Sequence, residues 1–202
     1  QTLSVKKLGA AVVWSGELEE DSLIQPLAQV RRQLQEATER KIEYLLLNGD
    51  TATGVTTNIN DIAGTPGGTE DFLLMDGMMK LGLVTNTANS LSAAGGIDED
   101  NFQAVSMLLG EGGKYAIDMA RVMWVMDNWT HGALLRLAIY KTIDTVGPSN
   151  ATLLNGRVTN VYGIDAFVSG QMALANTAGK VDIDTAANNT TGRAVLIRPD
   201  QW

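Results

Sequence analysis

The stretch SLIQPLAQVRRQLQEATERKIEYLLLN, residues 22–48, constrains this chain more than any other. Leu23, Leu27, Val30, Leu34 and Ala37 follow at gaps of four, three, four and three, which puts them on one face of a helix. Lys41 then stands where the next apolar residue is due. The register slips by one, and Ile42, Leu45 and Leu46 carry the stripe on. Arg31, Arg32, Gln35, Glu36, Glu39, Arg40 and Glu43 take the other side, with Glu36 and Arg40 four apart in the favourable order. Ser22 and Gln25 form a capping-box pattern, Glu19, Glu20 and Asp21 place negative charge at the positive end, and Gly49 is the expected left-handed stop. Pro26 lies too deep for a free first-turn position, so a kink or a late start is expected there. At ~1.5 Å per residue the helix is about 40 Å long.

The strict pattern lasts only about two heptads, short of the three or four that a coiled coil needs. The helix is therefore expected to lie across a sheet, with its polar side toward water or another subunit. With 202 residues, 45% of them hydrophobic, the chain can bury a sizeable core. A net charge of −8 without a basic stripe argues against nucleic acid as a direct ligand. The absence of cysteine excludes disulfides, thiolate metal sites and thiol catalysis. No apolar run has the length of a membrane span, and no signal-peptide pattern is visible.

Residues 3–14 carry β-branched side chains and read as a strand leading toward the helix. Residues 50–69, rich in Thr, Gly and Asn, read as a long, poorly ordered loop with room for a short hairpin. Residues 70–80 read as a helix. A second, capped by the acidic run at 98–100, presents Phe102, Val105, Leu108 and Leu109, and residues 114–119 suggest a short third. RVMWVM, residues 121–126, is the best buried strand, followed by a helix capped by Asn128 or Thr130 and running through Tyr140. Residues 158–169 read as one or two strands about Gly163, Val181 to Ile183 as a β segment, and RAVLIR, residues 193–198, as a final strand.

Chemistry-bearing residues are few. His131 is the only histidine, with Asp127 one helical turn before it and Ser149 as the residue a triad would need, but no GxSxG elbow occurs. The run from Gly110 to Lys114 fails as a phosphate loop, because Leu108 and Tyr115 stand where glycine and Ser or Thr are required. Asp182, Asp184, Asn188 and Asn189 could offer oxygens to a hard cation, yet the spacing of a calcium loop is absent, and a solvated loop is the better reading. The sequons at Asn128, Asn150, Asn188 and Asn189 read as chance products of Asn/Thr-rich turns.

Taken in order, the anchors form a recognisable series. A strand runs into GELEEDS, the long helix ends YLLLNGD, and a glycine-threonine loop and two or three helices follow. Then come WVMDNWTHGALLRL, NGRVTNVYGIDAFVSGQM and RAVLIRPDQW. This series resembles the major capsid protein of tailed phages, the Hong Kong ninety-seven fold shared with encapsulins. That family's E-L-x-x-D-S lead-in is matched by Glu17, Leu18, Asp21 and Ser22, and its Gly-Asp helix end by Gly49 and Asp50. The Trp-Val-Met-Asn/Asp strand that enters a helix is matched by Trp124, Val125, Met126 and Asp127. Gly156 and Gly163 are candidate counterparts of a Gly-x-Pro-Val-type strand, without its proline. The likeness covers residues 5–202 and rests on order and spacing rather than on any one motif.

The resemblance implies an α+β chain with the phage capsid architecture. Residues 1–50 would be the peripheral-domain part with the spine helix, its face formed by Leu23, Leu27, Val30, Leu34, Ala37, Ile42 and Leu45. Residues 51–190 would be an axial domain of a central sheet flanked by helices, and residues 191–202 a return strand toward the peripheral domain. The family's N-terminal arm, extended loop and closing strands have no counterpart here, so a fragment is expected that folds but builds no closed shell. The implied function is a structural subunit of an icosahedral phage or prophage shell around DNA, with no catalytic role, cofactor or metal. Its partner would be itself, as pentamers and hexamers, with scaffold, protease and portal proteins as further candidates and neither sequence-specific nucleic acid nor membrane. It would assemble in the bacterial cytoplasm and reside in the virion. An encapsulin-like compartment is the alternative, and a small acidic hydrolase using Asp127 and His131 a remote one.

Overall fold

The computed structural model describes residues 7–13, 26–54, 56–61, 66–93, 96–110, 113–116, 118–141, 158 and 160–201. The long helix, α1, is continuous over Pro26–Asn48. Leu23 and the expected cap at Ser22 and Gln25 lie outside the described residues. After α1 come β1 (Asn60–Asp61), a 3₁₀ turn (Asp71–Leu74) and α2 (Met78–Lys80), which runs on into a π-helical turn (Leu81–Thr85). Then follow α3 (Glu99–Leu108), β2 (Met123–Met126), α4 (Asn128–Arg136) and α5 (Ala138–Lys141). Strands β3 (Asn160–Val161), β4 (Ile164–Val168), β5 (Val181–Asp182) and β6 (Ala194–Ile197) complete the order. The chain is α+β.

The centre is a four-stranded mixed sheet of order β3-β4-β2-β6. Strand β2 runs parallel to β4 and antiparallel to β6, and β3 and β4 form a hairpin. Its two turn residues, Tyr162 and Gly163, have φ of 53° and 76°, as a two-residue turn that follows the strand twist requires. Strands β1 and β5 form a separate parallel pair.

Strand alternation divides the core in two. Trp124 and Met126 of β2 point to one face, where Phe102 of α3, Leu134 of α4, Val161, Ile164 and Leu196 close around them. The Phe102 and Trp124 rings meet edge to face at 5.1 Å. Val125 of β2 and Val195 of β6 point to the other face, onto Leu47 of α1, Ile59, Met79 and Met172. The sheet is thus covered by α3 and α4 on one side and by the end of α1 with Ile59 and residues 78–84 on the other.

Several expectations change. The α1 stripe does not lie across the sheet along its length: Leu45 is buried, Val30 and Leu34 are half-buried, and Leu27, Ala37 and Ile42 are exposed. Residues 7–13 form no strand and are exposed throughout, because no described strand runs beside them. Residues 70–80 are two short turns rather than one helix, broken at 75–77 where the chain passes the end of α1. Described residues in 114–119 hold turns, with a 3₁₀ turn only at Met119–Arg121. The helix after β2 is capped by Asp127, not Asn128 or Thr130, and breaks at Leu137, whose ψ of 130° is extended. That break lets both Leu137 and Tyr140 reach the first core. Residues 194–197 form β6, paired antiparallel with β2 at one edge of the central sheet.

The 50–69 segment departs furthest from expectation. Among its described residues Asp50, Asn58, Ile59, Asn60 and Pro66 are buried, and β1 pairs with β5 rather than forming a local hairpin.

Candidate functional site

The densest polar cluster among the described residues lies where α1 ends. Asn48, Asp50, Asn58, Asn60, Asp127, Thr130, Ser169 and Arg193 are all buried there or beside it. It forms because α1 enters the core only at its last turn, through Leu45 and Leu47, and carries the following Asn-Gly-Asp inside.

Gly49 does not adopt the expected left-handed φ. Its place is set by close approach instead. Its N–H donates to the Leu45 carbonyl at 2.8 Å, and its own carbonyl accepts from Gly77 N–H at 2.8 Å. A Cβ on Gly49 would stand 2.3 Å from the Met75 carbonyl oxygen, and one on Gly77 would stand 2.7 Å from Gly49 N. Two glycines therefore let two backbones touch.

Asp50 organises the loop beyond. Its Oδ1 accepts from Ala52 N–H at 2.8 Å and from the Lys80 ammonium at 2.7 Å. Its Oδ2 accepts from Ile59 N–H at 2.8 Å. Asn58 donates to the carbonyls of Asp50 and Ala52, and Asn60 donates to the Asn48 carbonyl at 3.0 Å. Lys80 also reaches Asp76 at 2.8 Å, and Asp76 accepts from both the N–H and hydroxyl of Thr51.

On the sheet side, Asn48 donates to the Gln171 carbonyl at 2.9 Å and accepts from the Arg193 guanidinium. Arg193 Nε donates to the Ala173 carbonyl at 2.7 Å. Burial pushes this guanidinium down to about 10, against the pull of Tyr44 and Asp127, so it stays charged at neutral pH. Asp127 caps α4 through Thr130 N–H at 2.8 Å, accepts the Thr130 hydroxyl and receives the backbone N–H of Arg193. Ser169 donates to Glu43 at 2.6 Å. The end of α1 is thus bonded to the chain after β4, to the start of β6 and to the 50–61 loop. Arg193 Nη1 and Asn60 Oδ1 have no hydrogen-bond partner among the described residues.

Burial opposes ionisation of Asp76, but the bonds from Lys80 and Thr51 outweigh it and hold its carboxyl below the ordinary 3.8. Burial likewise opposes the charge on Lys80, and its bonds to Asp50 and Asp76 outweigh that and raise it above 10.5. The depressed carboxyl stabilises the fold fully above about pH 5 and loses this as pH falls through its native pKa. The raised ammonium stabilises below its unfolded value and loses this as pH rises through its native one. Asp76→Asn should therefore lower the urea midpoint at pH 7, and the gap to wild type should shrink as pH falls through the native pKa of Asp76, which lies below 3.8. An unchanged gap at low pH would mean that the charge of Asp76 is not what matters.

Beside the joint lies an open cleft of about 360 Å³ lined by Ala37, Arg40, Lys41, Tyr44 and Gln171. The Lys41 ammonium sits 5.3 Å from the centre of the Tyr44 ring and pairs with Asp71.

The residues singled out for chemistry do not converge here. His131 accepts a 3.3 Å hydrogen bond from Val158 N–H, and the Asp127 carboxylate is engaged by Thr130 and Arg193 rather than by an imidazole. Ser149 lies outside the described residues. The oxygens of Asp182 accept from Thr185 N–H at 2.7 Å and Asn188 Nδ2 at 2.6 Å, so that loop is closed on itself. Among the described residues no group of three or more His, Cys, Asp or Glu could hold a metal ion. No helix among them is long and apolar enough to cross a membrane. Asn48, Asp50, Asn58, Asn60, Lys80 and Arg193 were missed as a set. The available signal was the density of Asn and Asp at 48–60, which also fits an ordinary turn. Compared with known proteins, the chain matches no family model and no curated protein.

Proposed function

We propose that this chain is a structural subunit that self-assembles into an icosahedral phage or prophage shell enclosing DNA, of the tailed-phage capsid type. One observation carries the reading: α1 is fixed to the body only through residues 41–48, by Lys41, Glu43 and its buried last turn, while Leu27 and Ile42 remain exposed and Val30 and Leu34 half covered. A helix held rigidly at one end, with an apolar stripe left at the surface, suits contact with a neighbouring subunit. The mixed sheet with helices against it and the order of sequence anchors agree with this. In this reading α1 is the spine, and copies meet as pentamers and hexamers. An acidic subunit suits a container that must not grip its genome.

Electron microscopy of the full-length protein is the test. Closed shells of uniform diameter containing DNA are expected. Shells filled with protein would move the reading to an encapsulin-like compartment, and dispersed single subunits at every concentration would overturn it.

A further inference from the structure

We propose that the basic cleft on α1 docks the acidic tip of α3 from a second copy of this chain, Arg40 and Lys41 receiving the carboxylates of Asp98 and Asp100. The inference rests on the self-assembly reading and names the contact.

Arg40 is exposed and has no ion-pair partner among the described residues. Lys41, beside it, is held over the Tyr44 ring with one side against Asp71 and about a third of its side chain accessible. Tyr44 and Gln171 complete the cleft walls. Both cations stand on a helix whose end is fixed by the buried joint, and Lys41 is further held by Asp71 and the Tyr44 ring, which lowers part of the ordering cost of binding.

The acidic half lies at the start of α3. Asp98 and Asp100 are exposed, with Glu99 half-buried between them. No salt bridge joins the three to a cation among the described residues. The field they make reaches the hairpin tip, where desolvation and then Asp100, Glu99 and Asp98 raise the Tyr162 hydroxyl.

The halves cannot meet within one molecule. Phe102 packs α3 onto the Trp124 face of the sheet, and Leu47 packs the end of α1 onto the Val125 face. They lie on opposite sides of the sheet, so each copy offers one half to each of two neighbours. A contact of that kind is heterologous, and it closes into rings when the rotation allows. Charge complementarity also answers a need of this chain, because copies carrying a net charge of −8 repel unless positive patches meet negative ones.

Sedimentation velocity at low salt compares wild type, Arg40→Glu, Asp100→Arg and the double reversal. Both positions are exposed, and thermal melts check that the fold is kept. Each single reversal should weaken association about tenfold, and the double should return to within about threefold of wild type. Salt of about 0.5 M should weaken the wild-type contact. Wild type that associates while the single reversals change nothing, or the double is no better than the singles, would overturn the contact and leave self-assembly standing. Wild type that stays monomeric at every concentration would overturn both.

Discussion

Replacing Asp50 by alanine should destabilise the fold by about 3–5 kcal/mol, the range for removing one member of a buried ion pair. The carboxylate is fully buried and does three things at once. It pairs with Lys80, and it accepts the N–H groups of Ala52 and Ile59. Without it Lys80 keeps only Asp76, and two backbone donors lose their acceptor, each at about 1–3 kcal/mol where water cannot reach. Asp50→Asn should recover little, since one amide face presents a donor to a donor. Adding Lys80→Met to Asp50→Ala should relieve part of the loss, as coupling between neighbouring groups requires. Urea unfolding reads all three variants. A loss below about 1 kcal/mol for Asp50→Ala would mean that the joint is not what holds the 50–61 loop to the helix.

The second large effect is expected at Gly49. An alanine there would bring Cβ to 2.3 Å from the Met75 carbonyl and 2.6 Å from that of Leu45. Both are backbone atoms, so no side-chain rotation relieves the overlap. The 75–77 backbone would have to withdraw and give up the bond from Gly77 N–H to the Gly49 carbonyl. The cost should reach about 3 kcal/mol, the upper part of the overpacking range. Gly132 is the control. It lies within α4, a Cβ there meets nothing within 4 Å, and Gly132→Ala should stabilise by about 0.5–1 kcal/mol. Equal effects at the two positions would remove the close-approach argument.

The elements legible in the sequence are those whose local pattern and final environment agree. The α1 stripe marked a helix that is continuous over Pro26–Asn48. The RVMWVM run marked β2, Gly163 marked the β3–β4 turn, RAVLIR marked β6, and Asp98 caps α3 as the acidic run announced. In each the residue types have one good local solution, so periodicity and turn chemistry suffice.

Tertiary contact alone decided the rest. Periodicity says that a stripe shares a face, not that the face is covered, and only the last turn of α1 meets the second core. Gly49 reads as a helix stop because glycine serves both left-handed turns and close approach, and only the neighbouring 75–77 backbone selects between them. Asn48, Asp50, Asn58 and Asn60 look like a polar loop. Their burial depends on Lys80 and Arg193, which lie far along the chain and bring partners that no local window contains. A buried polar group is tolerated only when its partner arrives. The sequence by itself therefore determined α1, α3, β2, β4 and β6, and the structure decided which end of the long helix is anchored and by what.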